Sequence, residues 1–304
     1  MRITANDVRK EYGSVTALDG LSIEIPDGST FGVLGTNGAG KTTLFKLLVG
    51  LDRPDGGRLA VGEQSVADAG TEIRRRVGYL PERVGFPGAL TGREVLSFHA
   101  RMRSLRRDGR IDDAIETVGL SPSAADRAVS GYSNGMRRRL GLAAAILPEP
   151  QVLVLDEPTA GLDPRGVAEF HGIIDRVRTE TGATVVLSSH VLSEIERLCD
   201  RVAVLDGGQV LASGMVSELV DADDVTVRIR PESAGDIGGL LAAAETFGTA
   251  SATNGTVTVR CPTGDVPSLF AAVDSTVDIA DVTVERDGLE AAFHSALETA
   301  EVSP

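Results

Sequence analysis

Nine consecutive residues, Gly35-Thr36-Asn37-Gly38-Ala39-Gly40-Lys41-Thr42-Thr43, hold glycines, a lysine and hydroxyls in the spacing that surrounds a phosphate chain. Glycines let successive backbone N–H groups turn inward around phosphate oxygens, and a helix starting at Lys41 adds the partial positive charge of its N-terminus. In that setting Lys41 reaches the β- and γ-phosphates and the Thr42 hydroxyl ligates Mg²⁺. The motif has this meaning only between a strand and a helix. The apolar run Phe31–Leu34 before it and the helical period after it predict both.

A second pair of chemical groups is Asp156-Glu157, two carboxylates at the end of the apolar run Val152–Leu155. In a sheet of parallel strands, the phosphate loop and this strand end lie at the same edge. Asp156 suits Mg²⁺ coordination, usually through water, and Glu157 is placed to orient and deprotonate an attacking water. Together the two motifs predict hydrolysis of a nucleoside triphosphate without saying what the hydrolysis drives.

Further motifs narrow the reading, and over residues 1–220 their order resembles the nucleotide-binding subunits of ABC transporters. Tyr12 sits where that family stacks an aromatic ring on adenine, its other reading being a core tyrosine. Tyr132-Ser133-Asn134-Gly135-Met136 occupies the place of the family signature, normally Leu-Ser-Gly-Gly-Gln. Ser133 and Gly135 match, whereas Tyr132, Asn134 and Met136 depart. The resemblance implies a head-to-tail ATP sandwich, a homodimer in which this segment closes over the γ-phosphate held by the other subunit. Ser133 and the helix N-terminus behind it still offer hydroxyl and amide donors to phosphate.

Gly161-Leu162-Asp163-Pro164 resembles the family's D-loop, which implies that Asp163 reaches across the dimer. His190, in Leu187-Ser188-Ser189-His190, matches the switch histidine that contacts γ-phosphate. At the Q-loop, Gly78-Tyr79-Leu80-Pro81-Glu82 places Glu82 where the family usually has Gln. A carboxylate oxygen can ligate Mg²⁺ but cannot donate a hydrogen bond as an amide does. In the family, the stretch from Glu82 to about Leu105 contacts the coupling helix of the membrane partner. His99, His171 and His294 match no motif and read as ordinary helix residues.

The Leu-Pro-Glu Q-loop, the Tyr-Ser-x-Gly-Met signature and a trailing α+β domain resemble the ATPases of ABC-2 type exporters, which have one ATPase per chain and a separate permease. Within these, Gly78–His99 and Ala125-Asp126-Arg127 are similar to the ATPase of the maturation system of nitrous oxide reductase, a copper enzyme; drug and antibiotic exporter ATPases share the same architecture. The resemblance thus implies ATP and Mg²⁺ as cofactors, an integral-membrane permease as partner, and a cytoplasmic place on the inner face of the membrane through that permease. The other reading is a soluble ABC ATPase that assembles a cofactor or metal centre without a permease. A P-loop kinase leaves the signature, D-loop and switch histidine unexplained together.

These residues need a scaffold, and 304 residues suffice for one large domain and a small one. Apolar residues make up 42% and aromatics 4%, with no Trp, so the core is built from Val, Leu, Ile and Ala. Candidate strands are Leu21–Ile25, Thr30–Leu34, Val77–Leu80, Val152–Leu155, Thr184–Leu187 and Val202–Leu205, with helices at Lys41–Val49, Gly92–Arg103, Asn134–Leu147 and Pro164–Arg178. Apolar strands alternating with helices predict an α/β fold with a mostly parallel sheet covered on both faces. The resemblance adds an antiparallel β subdomain and a helical subdomain at about residues 83–148, in the manner of a P-loop NTPase.

Residues 221–304 hold 15 acidic and 4 basic side chains, a net of −11 out of the chain's −14. The run Asp221-Ala222-Asp223-Asp224 marks the expected domain boundary. Beyond it, alternating strands at Val225–Ile229, Thr256–Arg260 and Thr276–Val284 and helix-like runs at 237–245, 266–273 and 288–298 predict a small β-α-β-β-α-β domain. The expected role of this domain is regulatory or a widening of the homodimer interface, and its acidity fits a solvated face or a binding site, of which the solvated face is the preferred reading.

The negative balance argues against a general nucleic-acid binder, and no nucleic acid is expected as a partner. Only Lys10, Lys41 and Lys46 are lysines. Acidic, lysine-poor surfaces resemble those of proteins from salt-loving organisms, or follow from a GC-rich genome. Cys199 and Cys261 read as buried apolar residues. The absence of an apolar run in MRITANDVRK, or of a span of about 20 apolar residues anywhere, predicts a cytoplasmic chain.

Overall fold

The computed structural model describes residues 1–105, 109–220, 224–274 and 277–286, together with Leu289. Two compact units divide the chain, Met1–Gly214 and Met215–Pro304. The junction falls a few residues before the expected boundary at Asp221, because the division follows the end of strand pairing and the acidic run follows composition alone.

In the first unit the elements run β1 (Ile3–Tyr12), β2 (Val15–Ile25), β3 (Thr30–Gly35), α1 (Lys41–Leu48), β4 (Gly56–Val61), β5 (Gln64–Ser65), α2 (Val66–Arg76), β6 (Val77–Leu80), α3 (Gly92–Met102), α4 (Arg110–Thr117), α5 (Pro122–Ala125), α6 (Asn134–Ile146), β7 (Val152–Leu155), α7 (Pro164–Thr181), β8 (Thr184–Ser188), α8 (Leu192–Leu198), β9 (Arg201–Asp206) and β10 (Gln209–Met215). Strands β2-β1-β4-β5 form an antiparallel sheet, and β10-β9-β3-β8-β7-β6 form a second sheet whose β9, β3, β8, β7 and β6 run parallel.

The two sheets differ because their sequences differ. Strands β3, β7 and β8 are buried along their whole length, as parallel strands covered on both faces must be. Strands β1 and β2 mix buried and exposed positions, with Ile3 opposite Ile25 and Ala5 opposite Ile23. Phe31, Val33, Val154 and Val186 of the parallel sheet and Phe45 of α1 share one core with Ile3, Leu21 and Leu59 of the antiparallel sheet.

Register fixes what the fold delivers. Leu80 pairs with Leu155, Leu155 with Leu187, and Val33 with Ser188. The chain therefore leaves β3, β6, β7 and β8 at one edge of the sheet. Gly35–Thr43, Glu82, Asp156-Glu157 and His190 all follow those strand ends within a few residues.

In the second unit α9 (Val216–Val220) precedes β11 (Asp224–Pro231), α10 (Ile237–Ala244), β12 (Thr249–Thr253), β13 (Thr256–Pro262), α11 (Val266–Asp274) and β14 (Ile279–Arg286). The order β12-β13-β11-β14, with every neighbour antiparallel, is that of a split β-α-β fold. Val225, Val227, Ile229, Val257, Val259 and Cys261 face Leu240, Leu269 and Val273 in its core. The helix read at 288–298 lies outside the described residues apart from Leu289, as does Thr276 at the start of the last strand. Among the described residues, no helix is long and apolar enough to cross a membrane.

Candidate active site

At the common strand edge lies a cleft of about 670 Å³, lined by the whole of Gly35–Thr43, by Glu82, Asp156, Glu157 and His190, and by Val15, Thr16, Ala17 and Ala160. The loop that floors it is possible only with glycine. At Gly40 φ is 103°, and a Cβ there would sit 2.6 Å from the Ala17 carbonyl oxygen. Lys41 is buried, and its ammonium donates to the carbonyls of Gly35 at 2.6 Å and Thr36 at 3.1 Å. Burial lowers its pKa, while the carboxylates of Glu157, Asp156 and Glu82 act to raise it.

Asp156 is 1% exposed. Its Oδ1 accepts the Ser188 hydroxyl at 2.8 Å, and its Oδ2 is buried without a hydrogen-bond partner. Burial raises its pKa; the hydroxyls of Ser188 and Thr42 oppose that, and the neighbouring charges of Glu157 and Glu82 add to it.

Glu157 has φ of 46°, a left-handed conformation rare for a side chain of this size, which persists only where its surroundings hold it. Here its N–H donates to Ser188 Oγ at 2.9 Å. Its Oε2 lies 2.8 Å from His190 Nδ1. An ionised carboxylate only accepts, so against ionised Glu157 the proton of that contact belongs to Nδ1. The His190 side chain is 66% exposed and that of Glu157 15%, so the pair opens to the cleft from one side.

Ser188 is the residue that sequence reasoning missed. It lies two positions before His190 in a strand otherwise apolar from Val185, and a hydroxyl there was the available signal.

A second group of motif residues gathers away from this cleft. Ser133 Oγ accepts the Met136 N–H at 3.2 Å and caps α6, and Asp163 Oδ1 accepts the Gly166 N–H at 2.6 Å and caps α7. Asn134 Nδ2 donates to the Gly161 carbonyl at 2.9 Å, tying the start of α6 to the turn before α7. Ser133, Asn134, Gly135 and Asp163 do not line the cleft. Tyr132 is buried, with its hydroxyl donating to the Ala124 carbonyl at 2.7 Å, which explains an aromatic residue at that position.

Tyr12 is 44% exposed, so it is not a core tyrosine. Its hydroxyl donates to Asp52 Oδ2 at 2.7 Å, and Lys10 Nζ lies 5.3 Å from its ring centre. It lies outside the residues lining the cleft, beside Thr43 of the phosphate loop.

Residues 18–160 match the family model described as ABC transporter. The daunorubicin resistance ATP-binding protein DrrA3 of Streptomyces coeruleorubidus is 37% identical over 96% of this chain and 94% of its own length. The bacitracin transport ATP-binding protein BcrA of Bacillus licheniformis is 40% identical over 69% of this chain and 68% of its own. A solved structure of an ATP binding subunit of an ABC transporter superposes with a TM-score of 0.65 at 26% identity, covering 72% of this chain and 92% of that one. A phosphate loop and two carboxylates meeting in one cleft, on a chain matched almost end to end by such a relative, make this protein an ATPase that belongs to the ATP-binding subunits of ABC transporters.

Proposed function

We propose that this chain is the motor of a separate membrane permease of exporter type, and that two copies close head to tail around ATP. The observation that carries the reading is the separation of the motif residues into two groups. Gly35–Thr43, Glu82, Asp156, Glu157 and His190 share one cleft, while Ser133, Asn134, Gly135 and Asp163 stand outside it. One copy therefore offers half of a site at each place, and a second copy supplies Ser133 and the N-terminus of α6 to the γ-phosphate.

Mg²⁺ fits the residues present. Asp156 Oδ2 is a buried acceptor lacking a hydrogen bond, and the Thr42 hydroxyl lies beside the same carboxylate. Asp156 and Thr42 would hold the ion together with phosphate oxygens and water, with Glu82 facing it from the cleft wall. When bound, it neutralises charge on the β- and γ-phosphates. Lys41 releases the loop carbonyls for the phosphates, Tyr12 supports the adenine, Glu157 takes the proton of the attacking water, and His190 orients the Glu157 carboxylate. ATP favours the closed pair, and that difference in affinity drives the motion.

Support for the permease comes from a mostly apolar groove of about 390 Å³ between the Glu82 turn and helices α3 and α6, lined by Tyr79, Pro81, Val84, Phe86, Phe98 and His99. A short apolar segment of a membrane partner is the occupant this lining suits, and the chain would then sit at the membrane through that partner. The relatives named for daunorubicin resistance and bacitracin transport favour export; the similarity to copper-enzyme maturation finds no support in them. The test is to trap tagged Glu157→Gln with ATP in its host, solubilise the membranes gently and identify what co-purifies. A polytopic chain without ATPase motifs is the expected partner. A trapped dimer with only water-soluble partners would favour cofactor assembly instead.

A further inference from the structure

Behind His190 lies a buried carboxylate that takes no part in lining the cleft. Glu194, on the first turn of α8, is 6% exposed. Its Oε2 accepts the Thr159 hydroxyl at 2.7 Å and the Ser189 hydroxyl at 3.0 Å. Ser189 Oγ also accepts the Val191 N–H at 3.0 Å. The other oxygen, Oε1, lies 3.9 Å from Nε2 of His171 on α7, a buried ring neither of whose nitrogens has a hydrogen bond.

The two donors belong to the two segments that carry the reacting groups. Thr159 follows Glu157 by two residues and opens the turn that leads to Asp163. Ser189 directly precedes His190. Nothing in the chain's order brings these segments together, since 30 positions separate Thr159 from Ser189. A carboxylate is costly to bury unless it is well hydrogen-bonded, and this one is satisfied by joining them.

We propose that Glu194 is a positioning residue for hydrolysis: by fastening the Glu157–Asp163 segment to the segment bearing His190, it holds Glu157 Oε2 and His190 Nδ1 at their 2.8 Å contact. The inference rests on the roles given above to Glu157 and His190. Without the fastening, strand pairing and the Glu157 N–H to Ser188 still hold the two segments at their bases, but the turn after Glu157 and the start of α8 beyond Ser189 lose their shared anchor, and a displacement of about 1 Å at reacting groups costs up to roughly 100-fold in rate.

The experiment measures kcat and KM for MgATP hydrolysis by the full chain as wild type, Glu194→Ala, Glu194→Gln, Thr159→Val and the Thr159→Val/Glu194→Ala double variant, with thermal melting of each. Glu194→Ala is expected to lower kcat about tenfold or more while KM changes by less than about twofold. Glu194→Gln keeps an oxygen for both hydroxyls, and its amide can donate to the neutral His171 ring, so it should stay within about threefold of wild type. The double variant should be no slower than Glu194→Ala alone, because both changes break one fastening.

Wild-type kcat in Glu194→Ala, additive losses in the double variant, or Glu194→Gln as slow as Glu194→Ala would each overturn the proposal. If Glu194→Ala does not fold, Thr159→Val decides: a several-fold loss in kcat at constant KM supports the fastening, and wild-type kcat removes it. Glu157→Gln serves as the separate control. Its hydrolysing ATP like wild type overturns the base assignment and this inference with it. An inactive Glu157→Gln beside a fully active Glu194→Ala overturns this inference alone.

Discussion

Ser188 donates its hydroxyl hydrogen to Asp156 Oδ1 at 2.8 Å, and Ser188 Oγ in turn accepts the N–H of Glu157 at 2.9 Å. One hydroxyl thus stabilises a buried carboxylate and pins the strained residue after it. The strand register that pairs Leu155 with Leu187 puts Ser188 beside Asp156, so the arrangement follows from the fold.

Replacing that hydroxyl tests its worth. Ser188→Ala leaves a buried carboxylate with one donor fewer and an N–H without its acceptor, which costs about 1–3 kcal/mol. Urea unfolding should show the loss as a lower midpoint. Because Asp156 then binds a proton more readily, the Mg²⁺ concentration for half-maximal hydrolysis should rise. An unchanged midpoint and unchanged Mg²⁺ requirement would show that water replaces the hydroxyl fully.

Glu157→Gln removes the base while keeping shape and an acceptor for His190. Hydrolysis should fall by about 10²–10⁴-fold with nucleotide affinity retained. In gel filtration with ATP and Mg²⁺ the variant should elute at twice the monomer mass, and with ADP at the monomer mass. A monomer under both conditions would argue against the head-to-tail pair.

The pH response of Asp156 has a definite sign. Its folded-state pKa lies above the ordinary 3.8. Ionised Asp156 therefore costs stability at neutral pH, and the contribution of its protonated form is fully present below 3.8 and lost as pH rises through the folded value. Wild type should gain stability relative to Asp156→Asn as pH falls into that window, by at most about 1.4 kcal/mol per pH unit. MgATP binding moves the opposite way, since it uses the carboxylate. Parallel pH curves for the two proteins, measured by denaturant unfolding, would contradict the assignment.

Tyr12 supplies a ring beside the phosphate loop, held through Asp52. Tyr12→Ala should raise KM for ATP by the equivalent of about 1–3 kcal/mol, the worth of stacking a base on an aromatic side chain, with kcat little changed. Tyr12→Phe keeps the ring and loses only the 2.7 Å bond to Asp52, so its KM should lie between the two. Equal KM for all three proteins would remove Tyr12 from the adenine site.

What the sequence alone determined is contiguous. The phosphate loop Gly35–Thr43 and the pair Asp156-Glu157 are legible because the chemistry needs neighbouring residues, and because apolar runs such as Val152–Leu155 leave few folds open to them. Three strands of the second unit are legible for the same reason, since alternation along Val225–Ile229 is a local property, whereas β12, almost wholly exposed, is not among the strands that the sequence reading places. Strand β4 and helix α4 were not read, because their mixed polarity becomes intelligible only against the surfaces they cover. Only the tertiary structure decided that Ser188 bridges Asp156 and Glu157, that Asn134 reaches Gly161, and that Glu194 joins Thr159 to Ser189. All of these contacts but Ser189–Glu194 join residues 27 or more positions apart, through a hydroxyl, amide or carboxylate that reads as an ordinary polar residue until the tertiary fold puts its partner within 3 Å.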